Sequence, residues 1–364
     1  MLDLAEGGHA TRLSAPRRYG KTSLLRRLGQ DAENDLGFNY LEVDFYGVLS
    51  RADVVARLER GYARMRSPLR RAAIAAIRTL RPRASVGAGP ARIEMEPRAS
   101  EETERVLGGL LDLPLDLFQR TGRRTFIAFD EFQALLAVDS GIDGLFRSRI
   151  QRHGEAASYV FAGSHPGLME QLFATRERPF FGQARVARLE PLSDVDLADY
   201  VGTRFEMGGR TVDPTLEALL ALARGHPQRA MLLAHYLWEQ TPRGQEATPE
   251  RWQAALTTVF AEHGEALEAT WDALEAKEQA VLAALALGKE ALFSDRTLSR
   301  FNLSKGGAQH ARDSLVHAGH VHGASGNWQV VDPLLAEWTA RTVEPSEVLG
   351  ETAEVGSMED DRRP

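Results

Sequence analysis

The chain has 364 residues, 43% of them hydrophobic and 26% charged, with no cysteine and a formal net charge of −7. This length suits two or three domains with sizeable cores, and the composition excludes disulfides, thiolate metal centres and a globally basic nucleic-acid binder. No apolar run approaches the roughly 18 residues that span a bilayer, and the opening MLDLAEGGHA has no basic region followed by an apolar one, so a cytoplasmic protein without membrane contact is expected.

Residues 9–14 (HATRLS) read as a short strand, and residues 14–25 (SAPRRYGKTSLL) as a phosphate-binding loop that opens a helix near Thr22. The pattern Gly-x4-Gly-Lys-Ser/Thr combines a pliant backbone that wraps phosphates, a lysine for the β and γ phosphates and a hydroxyl for Mg2+. Gly20, Lys21 and Thr22 supply that chemistry, with Ala15, Pro16, Arg17, Arg18, Tyr19 and Ser23 completing the cradle and helix N-terminal amides facing the anion. Ala15 stands where the pattern has its first glycine, and alanine resists the positive φ that glycine accepts.

Residues 38–44 (FNYLEVD) predict a second strand. Residues 51–83 are helical in composition and carry ten arginines against Asp53 and Glu59, a solvated face or a polyanion site. Residues 83–100 predict an exposed loop or short hairpin. Residues 101–119 place leucines at helical spacing, with Pro114 expected to end or kink the helix. Residues 125–130 (TFIAFD) then predict a buried parallel strand that delivers Asp130 and Glu131 to the carboxyl edge of a sheet. Asp130 there holds Mg2+, directly or through water, while Glu131 orients or deprotonates the attacking water. A further strand at residues 158–163 leads to Ser164, a γ-phosphate sensor or a helix cap, and to His165 before a helix starting near Pro166.

Residues 193–238 are mostly helical, and residues 241–248 (TPRGQEAT) read as a polar linker at a domain boundary. After a connecting helix to about Trp271, helices at residues 277–287, 295–301 and 304–318 precede a hairpin at residues 321–331, the outline of a winged helix. Ala308, Ala311 and Leu315 face inward, leaving Lys305, Gln309, His310 and Arg312 to touch DNA or dock a partner. His310, His317, His320 and His322 lie close in sequence without an acidic or thiolate companion, so no metal is expected there. The acidic end of the chain predicts disorder.

APRRYGKTSLL, FIAFDEF, YVFAGS, RPFFGQ, GHP and DPLLAEW occur in an order, covering nearly the whole chain, that resembles the AAA+-like STAND P-loop ATPases of archaea and bacteria, relatives of the origin-recognition ATPases. The resemblance implies an α/β P-loop NTPase core, an αβα sandwich with a parallel sheet, at residues 1–191. It implies a helical lid at 192–240, a connecting helix and winged-helix domain at 249–341, and a tail at 342–364. Function follows as ATP hydrolysis with Mg2+ driving a switch among core, lid and winged helix, or as a nucleotide-gated DNA-binding regulator with little or no turnover. DNA or a protein at the winged helix and a homo-oligomer are the implied partners. In such relatives GHP packs near the base, which places Pro227 there and sets Arg229 toward the phosphates or out to solvent. Gln183 stands where relatives commonly carry an arginine able to reach a γ phosphate, with Arg176, Arg178 and Arg185 nearby as substitutes or plain surface. The stretch before the first strand is shorter than the segment that helps such relatives enclose adenine, which implies a thinner base pocket or a start upstream of Met1.

Overall fold

A computed structural model describes residues 1–66, 69–80, 95–288, 290–324 and 327–343. The chain divides into two compact units, Met1–Glu190 and Pro191–Pro364.

The first unit runs α1 (Leu2–Glu6), β1 (Thr11–Ser14), α2 (Lys21–Asp35), β2 (Asn39–Asp44), α3 (Arg51–Arg64), α4 (Leu69–Leu80), α5 (Met95–Thr121), β3 (Thr125–Asp130), α6 (Ile142–Ile150), β4 (Ala157–Gly163), α7 (Pro166–Ala174) and β5 (Arg185–Arg188). The strands make one parallel sheet in the order β2-β3-β4-β1-β5. Successive strand residues point to opposite faces. Ile127, Phe129, Tyr159 and Phe161 therefore join Leu58, Leu107 and Phe146 on one side, while Phe126, Ala128, Val160 and Ala162 meet Leu25, Leu28 and Ala32 of α2 on the other. With both faces covered, β3 and β4 are buried along their whole length, which explains their apolar runs. This is the αβα sandwich that the motifs imply. Its outer strand β5 is short and mostly exposed. Parallel strands bring all their carboxyl ends to one edge, so whatever follows β1, β3 and β4 gathers there.

α5 runs through Pro114 to Thr121 instead of ending there. Proline removes the N–H that would bond the carbonyl four residues back. That carbonyl, Leu110 O, accepts a 2.7 Å hydrogen bond from the buried Tyr62 hydroxyl instead. Leu107, Leu110, Leu111, Leu113 and Leu117 are buried around it, so packing and a substitute donor outweigh the lost bond. α5 also begins at Met95, which makes residues 95–100 helical and not the predicted loop; the rest of that prediction, residues 83–94, lies outside the described residues. Tyr62→Phe strands the Leu110 carbonyl without its donor, at an expected cost of about 1–3 kcal/mol. A lower denaturant midpoint at unchanged slope is the measurement that checks it.

The second unit comprises α8 (Asp194–Met207), α9 (Asp213–Ala223), α10 (Pro227–Gln240), α11 (Pro249–Asp272), α12 (Ala276–Leu287), α13 (Asp295–Arg300), α14 (Lys305–Ala318), the antiparallel pair β6 (Val321–Ala324) and β7 (Asn327–Val330), and α15 (Pro333–Thr342). One apolar core extends through it from Leu197 to Ala336. Residues 241–248, the polar stretch, are tied to the helices around them: Gly244 N–H donates to Gly209 O at 2.6 Å, Ala247 N–H donates to Thr211 O at 2.7 Å, and Thr241 and Ala247 are buried. Arg229 does not face solvent. It is 5% exposed, its Nε donates to Asp332 Oδ1 at 2.8 Å, and its Nη2 donates to Asp332 Oδ2. Asp332 Oδ1 also accepts from Leu334 N–H, capping α15. Arg229, two residues past GHP, thus joins the start of α10 to the terminal DP within this unit. Among the described residues, no helix is long and apolar enough to cross a membrane. Of the predicted tail at residues 342–364, Thr342 is the last residue of α15, and residues from 344 onward lie outside the described residues.

Candidate nucleotide-binding site

The loop after β1 takes its shape from two left-handed residues, Arg18 with φ 64° and Gly20 with φ 83°. Ala15 is not among the positive-φ residues, so the first glycine of the pattern is not required here for its torsion; Ala15 is instead buried, and its carbonyl accepts from Lys21. Gly20 caps α2, and a Cβ there would meet nothing within 4 Å, so the demand for glycine is one of backbone torsion alone. Pro16 and Thr22 are half-buried, Tyr19 and Lys21 are buried, and Arg17, Arg18 and Ser23 are exposed. Lys21 Nζ donates to Ala15 O at 2.9 Å and Pro16 O at 2.7 Å, which holds the ammonium inside the loop. Burial pushes its pKa down, while the carboxylates of Glu131 and Asp130 push it up. The two acids are therefore close enough to act on the loop lysine.

β3 delivers those acids. Thr22 Oγ1 donates to Asp130 Oδ2 at 2.5 Å, bringing together two motifs 108 residues apart. Burial raises the Asp130 carboxyl above its ordinary range, the Thr22 hydroxyl opposes the rise and Glu131 adds to it. Mg2+ commonly takes one or two protein oxygens and fills its octahedron with phosphate and water. A hydroxyl and a carboxylate at one point fit that habit, and among the described residues no group of three or more His, Cys, Asp or Glu could cage a metal.

Glu131 is held in an uncommon conformation. Its φ is 50°, a torsion that costs a non-glycine residue on the order of 1–3 kcal/mol. Phe129 before it and Phe132 after it are both buried, stacked at 5.8 Å between ring centroids, and Phe132 also sits 4.7 Å from Phe161 and 5.4 Å from Phe180. These anchors force the intervening pair to turn sharply, and the Glu131 carboxylate emerges beside β4. Ser164 Oγ, just past β4, donates to Glu131 Oε2 at 2.7 Å. The helix cap is the next residue: His165 Nδ1 accepts from Leu168 N–H at 3.4 Å.

Lys21, Thr22, Asp130, Glu131 and Ser164 thus share one sheet edge, while Pro227 belongs to the second unit, in the first turn of α10. Of the residues weighed near the RPFFGQ segment, Gln183 Oε1 accepts from Arg147 Nη2 at 2.7 Å, and Arg178 is paired at 3.2 Å with the buried Asp143. One residue of the site escaped the motif reading. Gln133, 7% exposed in the 3-10 turn Phe132–Ala137, donates through Nε2 to Glu131 Oε2 at 2.5 Å. Its signal was a lone polar side chain in the apolar run FQALLA.

No protein-family model matches the chain, and no curated protein matches it. Solved structures do. The chain is similar to the Walker-type ATPase PABY2304 of Pyrococcus abyssi, at 17% identity over 93% of each chain with a TM-score of 0.63. It is similar to the ORC2 protein of Aeropyrum pernix in ADPNP–ADP complexes, at 14% identity over 96% of this chain and 90% of that one with a TM-score of 0.52. For the ADP form of that ORC2 protein the identity is 13%, the coverage the same and the TM-score 0.50. At these identities the likeness is one of fold: a P-loop α/β sheet with its helices.

Proposed function

We propose that the chain binds ATP with Mg2+ at the loop after β1 and hydrolyses it to switch the arrangement of a core (residues 1–191), a helical lid (192–240) and a winged-helix domain (249–341), in the manner of AAA+-like STAND ATPases. The observation that carries this reading is the 2.5 Å bond from Thr22 to Asp130, which sets the loop and the acidic pair at one point of the sheet edge. Thr22 and Asp130 would hold Mg2+, which supplies charge neutralisation on the β and γ phosphates. Lys21 binds the same phosphates, Glu131 orients the attacking water and accepts its proton, and Ser164 reads the γ phosphate. The nucleotide complexes of the Aeropyrum ORC2 protein, which shares the fold, support the choice of ligand.

α12, α13, α14 and the β6–β7 hairpin have the helix and hairpin order of a winged helix. Lys305, Gln309 and His310 are exposed on α14, but Arg312 is engaged, bonded to Asp313 and stacked 4.6 Å from the Trp328 ring centroid. Phosphate contact dominates nucleic-acid affinity. So thin a positive surface favours a protein partner over DNA at this domain, and favours the switch over a DNA-binding regulator.

The test is calorimetric titration of ATP and ADP alongside phosphate release, with the wild type beside Lys21→Ala. Removing a buried cation from a phosphate site is expected to weaken nucleotide binding about a hundredfold. Unchanged affinity and turnover in the variant would sink the assignment.

A further inference from the structure

Two donors converge on one oxygen of Glu131: Gln133 Nε2 at 2.5 Å and Ser164 Oγ at 2.7 Å, both on Oε2. They are not equivalent. A serine hydroxyl has a single proton to give, whereas a primary amide offers two N–H groups and cannot rotate freely when its other end is packed. Gln133 is packed in that way. Its Oε1 is buried without a hydrogen-bond partner among the described residues, and it lies against Gly163, where a Cβ would come within 2.4 Å of that oxygen. Turning the amide over would set Oε1 against the carboxylate, so the amide is fixed with Nε2 toward Glu131. A buried acceptor without a partner is costly, and an apolar side chain of the same shape would avoid that cost. The amide's one observed return is its bond to Glu131.

We infer that Gln133 is a positioning residue that keeps Glu131 in place when the Ser164 proton is given to a γ phosphate, and that it thereby sets the preference of the site for ATP over ADP. The inference rests on the ATP reading above. Ser164 can donate to Glu131 or to the γ phosphate, not to both at once. With Gln133 present, Glu131 keeps a donor when Ser164 turns away. Without Gln133, Ser164 is the remaining side-chain donor on Oε2, and drawing it off leaves that oxygen bare. ADP has no γ phosphate and makes no such demand. Phe129 and Phe132, both buried, hold the backbone on either side of the acidic pair, which limits how far the Glu131 carboxylate can follow the hydroxyl.

The experiment measures the affinities of ADP and of a non-hydrolysable ATP analogue for the wild type, Gln133→Met, Ser164→Ala and the double variant, together with kcat and KM for ATP. Methionine keeps the volume of glutamine and removes the donor; Gln133→Ala serves as a second variant, and thermal unfolding checks that each folds. Gln133→Met is expected to weaken the analogue roughly fivefold while leaving ADP unchanged, and to lower kcat roughly tenfold, as loss of a supporting hydrogen bond commonly does. In the Ser164→Ala background it should weaken the analogue no further, since no serine proton is then shared. Equal weakening of ADP and analogue, no weakening of either, or additive losses in the double variant would overturn the inference and leave the ATPase assignment standing. A wild type that binds both nucleotides without turnover defeats only the hydrolysis assignment, and the affinities still decide the role of Gln133. A wild type that binds neither defeats both.

Discussion

Glu131→Gln is expected to bind ATP as the wild type does and to lose turnover by about a hundredfold to ten-thousandfold, the usual share of a positioned general base. The replacement keeps the shape of the side chain, and its amide oxygen can still accept from Ser164 and Gln133. What it lacks is a basic oxygen for the proton of the attacking water. Nor should the variant unfold the turn, because Phe129 and Phe132 stay buried on both sides of it and the amide oxygen keeps an acceptor for the two donors. Phosphate release with nucleotide titration separates the two effects. Turnover within a few-fold of wild type would remove Glu131 from the chemistry, whereas Lys21→Ala, which acts on the phosphates themselves, should lose binding and turnover together.

The second large effect is one of stability. Arg229→Ala is expected to destabilise the second unit by about 1–3 kcal/mol, because it deletes a buried guanidinium and takes two charge-assisted bonds from the half-buried Asp332 carboxylate. Arg229 is 5% exposed, and the variant would leave Asp332 with only its capping bond to Leu334. For a unit of this size each kcal/mol lowers the melting temperature by about 2–4 °C, so a fall of roughly 5 °C is expected in the transition that reports this unit. Asp332→Asn keeps a side-chain acceptor for α15 but discards the charge. In combination with Arg229→Met it should recover part of the loss, because no carboxylate is then left without its cation. A melting temperature unmoved by Arg229→Ala would mean that the pair contributes nothing to folding.

Much of the first unit was legible because its signals are local. The run TFIAFD coincides with β3, since a strand covered on both faces carries an apolar run, here Phe126–Phe129, and β3 ends on the first of the two carboxylates, Asp130. The sequence alone groups Lys21, Thr22, Asp130, Glu131 and Ser164, since each lies at or beyond the carboxyl end of a strand and parallel strands end at one edge. What stayed hidden depends on partners distant in sequence. Pro114 reads as a helix terminator until Tyr62 supplies a donor for the Leu110 carbonyl. Arg229 reads as surface until Asp332, 103 residues away, is beside it. Ala15 reads as a defect because the pattern does not say which residue of the loop takes the left-handed torsion; Arg18 and Gly20 take it. Gln133 has no motif of its own, and its role exists only through the oxygen it shares with Ser164.

β5 bears on how the protein behaves at high concentration. An outermost strand offers its main-chain groups to any neighbouring chain, the first step of sheet-to-sheet aggregation. Arg185 and Leu189 spend their N–H groups on Ala10 and Ser14 of the adjacent segment, so Val186 and Arg188 turn theirs outward, and Val186 is 55% exposed. Yet the strand is only four residues long and carries a guanidinium at each end. Two copies meeting antiparallel along this edge would set Arg185 of each against Arg188 of the other. Mutual repulsion therefore guards the β5 edge of the sheet, next to the loop strand, and it weakens as salt screens it.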